Sequence, residues 1–261
     1  MNKLYILSSG AGGSNYLTTQ AKEALEDSEV VVSYTKYAKE LKDILKGKEI
    51  YTSGMTHEIQ RCNEAINLAL SGKTTSIVSN GDVNVFAMAT LVVELIDEKN
   101  LWEKIEVISI PGVTSFLAAA SKIGAPISQD FAIISLSDRL TDIDMIDKRV
   151  NATLQSDFII GIYNPKSKTR IKPYQNFLKS LSKVENRIII IASNVGREKE
   201  KITITNSEDL ITQDISHPLV SMSTLIIVCN SNSYLTKNNQ VLTPRGYLNK
   251  YDTKGKIKND N

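Results

Sequence analysis

The stretch that decides the fold is Lys3-Leu4-Tyr5-Ile6-Leu7-Ser8-Ser9-Gly10-Ala11-Gly12-Gly13-Ser14, an apolar run of strand length that breaks into a glycine-rich loop. A second such run, Thr74-Thr75-Ser76-Ile77-Val78-Ser79, breaks into Asn80-Gly81-Asp82-Val83-Asn84. A third, at 105–110, breaks into Pro111-Gly112-Val113-Thr114-Ser115. A segment with helical spacing of its apolar residues follows each loop, so the repeating unit is strand, loop, helix. Loops at the carboxyl ends of parallel strands gather along one sheet edge, where their backbone N–H groups line a crevice. Such a crevice suits a ligand of nucleotide or sulfonium type.

Working outward, strands are predicted at 3–8, 29–34, 49–52, 74–79 and 105–110. They alternate with helices at 18–27, 37–45, 58–70, 85–96 and 114–123. That rhythm gives a mostly parallel sheet with helices on both faces. Thr18 and Thr56 stand where helix N-caps belong, and Gly47 and Gly72 where helices stop. The pattern is interrupted at Gly124-Ala125-Pro126. Beyond it, strands at 131–136, 158–163, 187–192, 202–205 and 224–229, with fewer and shorter helices, read as a second, mixed α/β domain. The expected division is 1–124, 125–249 and a polar, aperiodic tail, 250–261, expected to be disordered.

The 261 residues are 41% apolar, enough for a sizeable core. Lys and Arg (31) nearly balance Asp and Glu (29), so no overall basic field points to nucleic acid. No apolar run has bilayer length, and the chain starts on a strand-like segment with no charged leader, so no membrane association and a cytoplasmic location are expected. Cys62 and Cys229 form neither a disulfide framework nor a metal-ligand spacing, and no protein-bound metal is expected. Cys62 is placed on the apolar face of its helix with Ile59, Ala65, Ile66 and Ala69. The two histidines, His57 and His217, are read as structural or solvent-facing.

The first loop is not a G-x-G-x-x-G fingerprint, because Asn15 stands where the third glycine would be, and the second strand ends in Ser33-Tyr34 rather than an acidic residue. No G-x-x-x-x-G-K-[ST] occurs either. Dinucleotide and nucleoside triphosphate chemistry are therefore disfavoured, and pattern alone leaves each loop open between an ordinary turn and a ligand cradle.

Taken in order, the three loops resemble those of the tetrapyrrole (corrin/porphyrin) methyltransferase family. Further segments resemble one subgroup, the precorrin-3B (cobalt-factor III) C17-methyltransferases of cobalamin biosynthesis. They are Ser53-Gly54-Met55 with Glu58-Ile59 and Arg61-Cys62, Gly124-Ala125-Pro126, Ile134-Ser135-Leu136-Ser137-Asp138, Tyr163-Asn164-Pro165-Lys166-Ser167, Gly196-Arg197-Glu198 and Thr243-Pro244-Arg245-Gly246-Tyr247. The likeness runs from Tyr5 to Tyr247.

The resemblance implies two α/β domains with a cofactor cleft between them, a homodimer, and S-adenosyl-methionine as methyl donor. It also implies methylation of C17 of a tetrapyrrole substrate, with or without cobalt, coupled to ring contraction. Carried over by position, the cofactor would be held by Ala11, Asn80, Gly81, Asp82, Val85, Thr114, Ser115, Tyr163 and Val195. The macrocycle would meet Ser135, Ser137, Asp138 and Arg245, with Arg61, Lys166, Arg170 and Arg197 as further candidates for its carboxylates. Asp82 is read as a cofactor ligand, as the residue that orients its loop, or as a turn aspartate bonding its own backbone. No catalytic residue is assigned, since transfer from a sulfonium needs mainly positioning.

The family's Gly-Pro-Gly turn is Gly10-Ala11-Gly12 here. Asn84 and Ala87 replace glycines, with Asn84 the cheaper substitute at positive φ, and Gln129 replaces a histidine of the subgroup. The competing readings are a methyltransferase for another ring carbon and a non-catalytic tetrapyrrole- or cofactor-binding homologue.

Overall fold

A computed structural model describes residues 2–258. The chain divides into two compact units, Met1–Ala118 with Val195–Glu198, and Ala119–Asn194 with Lys199–Asn261. The division falls a few residues before the expected boundary at 124, and a four-residue segment from the second half of the sequence belongs to the first unit.

In the first unit the order is β1 (Asn2–Ser8), α1 (Thr19–Asp27), β2 (Val30–Tyr34), α2 (Thr35–Glu40), β3 (Glu49–Ser53), α3 (Glu58–Leu70), β4 (Thr75–Ser79), α4 (Ala89–Glu98), β5 (Ile105–Ile110) and α5 (Ser115–Ala120), whose end crosses the division. The strands pair in parallel in the order β3-β2-β4-β1-β5. Alternating side chains leave the sheet on opposite faces. Leu4, Ile6, Val32 and Ile77 pack with Cys62, Ala65, Ile66 and Ala69 of α3 and Val92 and Ile96 of α4. Tyr5, Leu7, Val31, Val78 and Ile110 pack with Ala21 and Leu25 of α1 and with Leu41 and Leu45. Burial of both faces explains why these strands read as continuous apolar runs.

Local expectations divide by mechanism. Thr18 caps α1 through its hydroxyl, which accepts from the Ala21 amide at 3.1 Å. Thr56 does not cap α3: it takes φ +65°, its hydroxyl donates to Met55 O, and His57 occupies the cap position without a side-chain bond. Ile59 lies outside the buried stripe of Cys62, Ala65, Ile66 and Ala69 and is exposed. Burial pushes both thiols, Cys62 and Cys229, up to about 12, which keeps them protonated and inert.

The second unit runs β6 (Gly124–Ala125), β7 (Phe131–Ser135), α6 (Ile143–Gln155), β8 (Ile159–Tyr163), α7 (Lys172–Leu181), β9 (Ile188–Ser193), β10 (Lys201–Asn206), α8 (Ser207–Gln213), β11 (Thr224–Val228), β12 (Tyr234–Leu235), β13 (Val241–Leu242) and α9 (Tyr247–Lys250). Its main sheet, β10-β9-β11-β8-β7, is antiparallel except for the parallel β7–β8 pair. Ile134, Ile162, Ile191 and Ile226 pack with Ile146, Val150 and Leu154 of α6 and with Tyr174, Phe177 and Leu181 of α7.

The longest helix here, α6, has 13 residues, as does α3, while α8 and α9 are short, with 7 and 4. Gly124-Ala125 is a strand, paired with β13 in a small sheet ordered β12-β13-β6. Strands of two residues have no period to read. The expectation of a disordered tail is corrected as far as residue 258. Tyr251 bridges to Ile257, and Asp252 Oδ1 accepts from the Lys254 and Lys256 amides, both at 2.9 Å. Residues 259–261 lie outside the described residues.

His217 is buried, accepts the Leu219 amide at Nδ1 (3.2 Å), and is held below the usual histidine range by burial and then by Lys166. Its role here is structural. His57 is exposed, its Nδ1 2.7 Å from Met55 O.

One charge pair anchors the second unit. Arg187 is buried, with Nη1 2.5 Å from Asp157 Oδ1 and Nη2 3.4 Å from the exposed Glu185. Partial burial works against ionisation of Asp157, but hydrogen bonds from the Ser231 hydroxyl and amide, with Arg187, outweigh it and hold the carboxyl below the usual range. Asp157→Asn preserves a residue type that tolerates the local φ of +56° while leaving Arg187 underpaired, and should cost about 1–2 kcal/mol, less than a fully buried pair because Asp157 is half-buried. A carboxyl with a depressed folded-state pKa stabilises fully above its unfolded value and progressively less as pH falls through the folded one. Urea unfolding should therefore separate variant from parent at pH 7 and bring them together in strong acid. Equal stability at pH 7 would contradict the pairing.

Candidate functional site

Sheet order explains why three loops distant in sequence meet. Strands β4, β1 and β5 are neighbours at the centre and edge of the first sheet. Since all run in parallel, the loops at 9–14, 80–88 and 111–114 leave from the same end. The first two are stitched together by backbone: the Ser9 amide donates to Ser79 O (2.8 Å), Gly10 N to Gly81 O (3.1 Å) and Gly81 N to Gly10 O (2.7 Å). This exchange uses φ +75° at Gly10 and +70° at Gly81. A Cβ on Gly10 would stand 2.3 Å from Tyr16 O, and one on Gly112 2.4 Å from Ser8 Cβ and 2.5 Å from Gly81 O.

Asp82 joins the second loop to the third. Its Oδ1 accepts from the Asn84 amide at 2.8 Å, its Oδ2 from the Gly112 amide at 2.9 Å, and its carbonyl from the Val85 amide at 3.0 Å. Of the roles open to Asp82 from sequence, this geometry supplies the own-backbone turn contact at Asn84 and, through Gly112, the loop-orienting one. The Ser8 hydroxyl accepts the Val83 amide at 2.9 Å, a contact that sequence reading missed because a strand-ending serine carries no signal. Beside Gly81, the residue of this loop at positive φ is neither Asn84 nor Ala87. It is Phe86, at +52°, an exposed aromatic in a conformation costly for its type.

A third group of contacts comes from the Val195–Glu198 segment. Arg197 Nε and Nη2 donate to the two carboxylate oxygens of Glu40 at 2.7 and 3.1 Å, and Nη2 also donates to Asn80 Oδ1 at 2.7 Å. Neither Arg197 nor Glu40 is exposed beyond a fifth. Ala11, Gly81, Thr114 and Val195 are buried, so they shape the loops. Asn80, Asp82, Val85 and Ser115 are half-buried and present surface. A Cβ added at Gly13 would meet Gly196 O, and one at Gly81 would meet Thr114 Cα, each at 3.9 Å, an ordinary van der Waals distance.

In the second unit, Tyr163 ends β8 and Ser135 ends β7 beside it. The Ser135 hydroxyl accepts from the Ser137 amide (3.2 Å) and from Asn164 Nδ2 (3.0 Å), which leaves its proton to donate. Asp138 is exposed, 3.9 Å from Arg170. Arg245 is not brought to this group. It lines an open cavity of about 570 Å³ with Ile127, Ser128, Gln129, Asp130 and Phe131, at the other end of β7. Four strand steps separate the two ends, about 13 Å.

The other cationic candidates have intramolecular partners: Arg61 on Ser53 and Gly54, Arg170 on Leu136 O and Asn164 O, and Lys166 on Ile215 O. Gln129 donates to Pro244 O at 2.6 Å and accepts from Asn230 at 2.9 Å, so it ties loops together. Among the described residues no group of three or more His, Cys, Asp or Glu could hold a metal ion, and no helix is long and apolar enough to cross a membrane.

Comparison with known proteins agrees with this fold. A cobalt-factor III methyltransferase of Priestia megaterium is 34% identical over 95% of this chain, which spans 46% of that protein's length. A probable cobalt-factor III C(17)-methyltransferase of Methanocaldococcus jannaschii is 37% identical over 95% of this chain and 99% of its own. The crystal structure of the methyltransferase CobJ superposes with a TM-score of 0.85 at 28% identity, covering 94% of this chain and all of that one. The family model of tetrapyrrole (corrin/porphyrin) methylases matches residues 3–211, and the chain belongs to that family of methyltransferases.

Proposed function

We propose that the protein transfers a methyl group from S-adenosyl-methionine to C17 of a precorrin-3B or cobalt-precorrin-3 type macrocycle, with ring contraction as the coupled step. The observation that carries this reading is end-to-end similarity to a C(17)-methyltransferase of the same length. The loops of the first unit fit an adenosyl-sulfonium ligand: Asn80, Val85 and Ser115 are half-buried and present surface, and Asn80 has an amide NH2 with no partner among the described residues. S-adenosyl-methionine, when bound, supplies an electrophilic methyl carbon that a carbon nucleophile takes while sulfur keeps the bonding pair.

The chain's own part is positioning. Asn80 and Ser115 offer polar atoms, Val85 an apolar contact, and the buried Ala11 and Thr114 set the shape around them. In the second unit the Ser135 hydroxyl proton is suited to a macrocycle carboxylate, with Ser137, Asp138 and Tyr163 around it. We also propose that the protein works as a homodimer. The non-catalytic reading is left with Gln129 as its motive, since Asn84 and Ala87 do not occupy the left-handed region that made them doubtful glycine substitutes.

The test is anaerobic incubation with a methyl-labelled donor and either the cobalt-containing or the metal-free substrate, read by mass spectrometry and carbon NMR. One label at C17 supports the reading. Label at another ring carbon, or none from a protein that binds both ligands, refutes it.

A further inference from the structure

Asn80, Glu40 and Arg197 come from three separate stretches of sequence and meet in one hydrogen-bonded group within the first unit. The Arg197 guanidinium is held by two bonds to one carboxylate, which fixes its plane as well as its place. Its stem passes Gly12 so closely that a Cβ there would lie 2.9 Å from Arg197 Cγ and 3.0 Å from Gly196 O. Gly196 itself takes φ +75°, and a Cβ on it would stand 2.8 Å from the Tyr16 ring. The Gly196-Arg197 backbone therefore seats against the first loop while the guanidinium reaches the second.

This fixes which end of the Asn80 amide remains available. Its oxygen accepts from Arg197, and its NH2 has no partner among the described residues. A side chain held this way offers the ligand a donor only, so the ligand group it meets must be an acceptor, such as a carboxylate or a ribose oxygen.

We propose that Arg197, with Glu40 as its counter-ion, is a positioning residue that turns Asn80 to present its NH2 to an acceptor group of the methyl donor. The proposal rests on the reading that these loops bind S-adenosyl-methionine. Arg197 is thereby removed from the groups available to the macrocycle's carboxylates. Asn80→Asp keeps an acceptor for Arg197 but replaces the donor with a second anionic oxygen. Arg197→Met keeps the stem and removes the guanidinium.

The experiment pairs hydrogen exchange on the ligand-free protein with calorimetric titration by S-adenosyl-homocysteine. Arg197→Met should speed exchange of the 80–88 amides and leave β7 and β8 unchanged, and should weaken S-adenosyl-homocysteine about tenfold or more, with Arg197→Lys intermediate. Asn80→Asp should keep the parent's exchange pattern yet lose affinity about tenfold, an effect that a merely structural asparagine would not produce. Should Arg197→Met fail to fold, Glu40→Gln carries the same test.

Unchanged exchange at 80–88 in Arg197→Met, or in Glu40→Gln where that variant stands in for it, overturns the positioning role, whatever binds. Parent-like affinity in Asn80→Asp overturns the donor role. A parent protein that does not bind S-adenosyl-homocysteine, together with faster exchange in Arg197→Met, would sink the cofactor reading and leave the positioning intact.

Discussion

Replacing Gly10 by alanine should destabilise the first unit by about 3 kcal/mol and abolish measurable binding of S-adenosyl-homocysteine. Two costs add at this position. An L-residue held at φ +75° costs about 1–2 kcal/mol, and forcing a methyl group into a filled site costs about 1–3. The clash is with backbone, Tyr16 O at 2.3 Å, which no side-chain rotation relieves. Any relief must come from moving the loop away from Gly81, whose N–H and C=O pair with Gly10. Gly47→Ala is the control: φ is +85° there, but nothing lies within 4 Å of the added Cβ, so only the conformational cost of about 1 kcal/mol should appear. Urea denaturation of the pair, with calorimetry, checks both. Equal losses in the two variants would show that the close approach at Gly10 carries no energy.

Asp82→Ala should be nearly as damaging to binding. Its carboxylate links the Asn84 and Gly112 amides, and hydrogen bonds to charged groups are worth about 1.5–3 kcal/mol each. Part of that loss will be recovered by water, because Asp82 is half-buried. A net cost of about 2 kcal/mol is expected, with affinity for S-adenosyl-homocysteine lowered by about tenfold or more as the third loop drifts from the second. Asp82→Asn retains one acceptor and should fall between. If Asp82 touched the ligand and did not organise the loops, Asp82→Ala would lose affinity with no loss of stability, so the two readouts separate the roles.

Much of this was legible before any coordinates. The parallel sheet was readable because both its faces are covered, so its strands are unbroken apolar runs such as Leu4-Tyr5-Ile6-Leu7. The Thr18 cap was readable because capping is local chemistry, spanning three residues. What failed depended on tertiary packing. Helix α4 starts at Ala89 rather than at residue 85 because Asp82 and Val83 hold residues 84–89 in turns, and that hold runs partly to Gly112. The strand at Gly124 exists only through Val241, more than a hundred residues on, where the φ of +122° and a Cβ-to-oxygen approach of 2.5 Å make glycine necessary.

At the site, the glycines marked the loops, yet nothing in the sequence paired Arg197 with Glu40 or Asn80. Ion pairs across 157 positions leave no periodic trace. The left-handed conformation was likewise assigned to residues that tolerate it, Asn84 above Ala87, whereas the fold imposes it on Phe86.

The most direct measurement is amide hydrogen exchange on the protein alone and saturated with S-adenosyl-homocysteine, mapped along the whole chain. A site built from the three loops requires new protection at 9–14, 80–88 and 111–115, with the edge strands β3 and β10 unchanged. Saturation without protection in those three segments, or protection confined to the cavity beside Arg245, would contradict it.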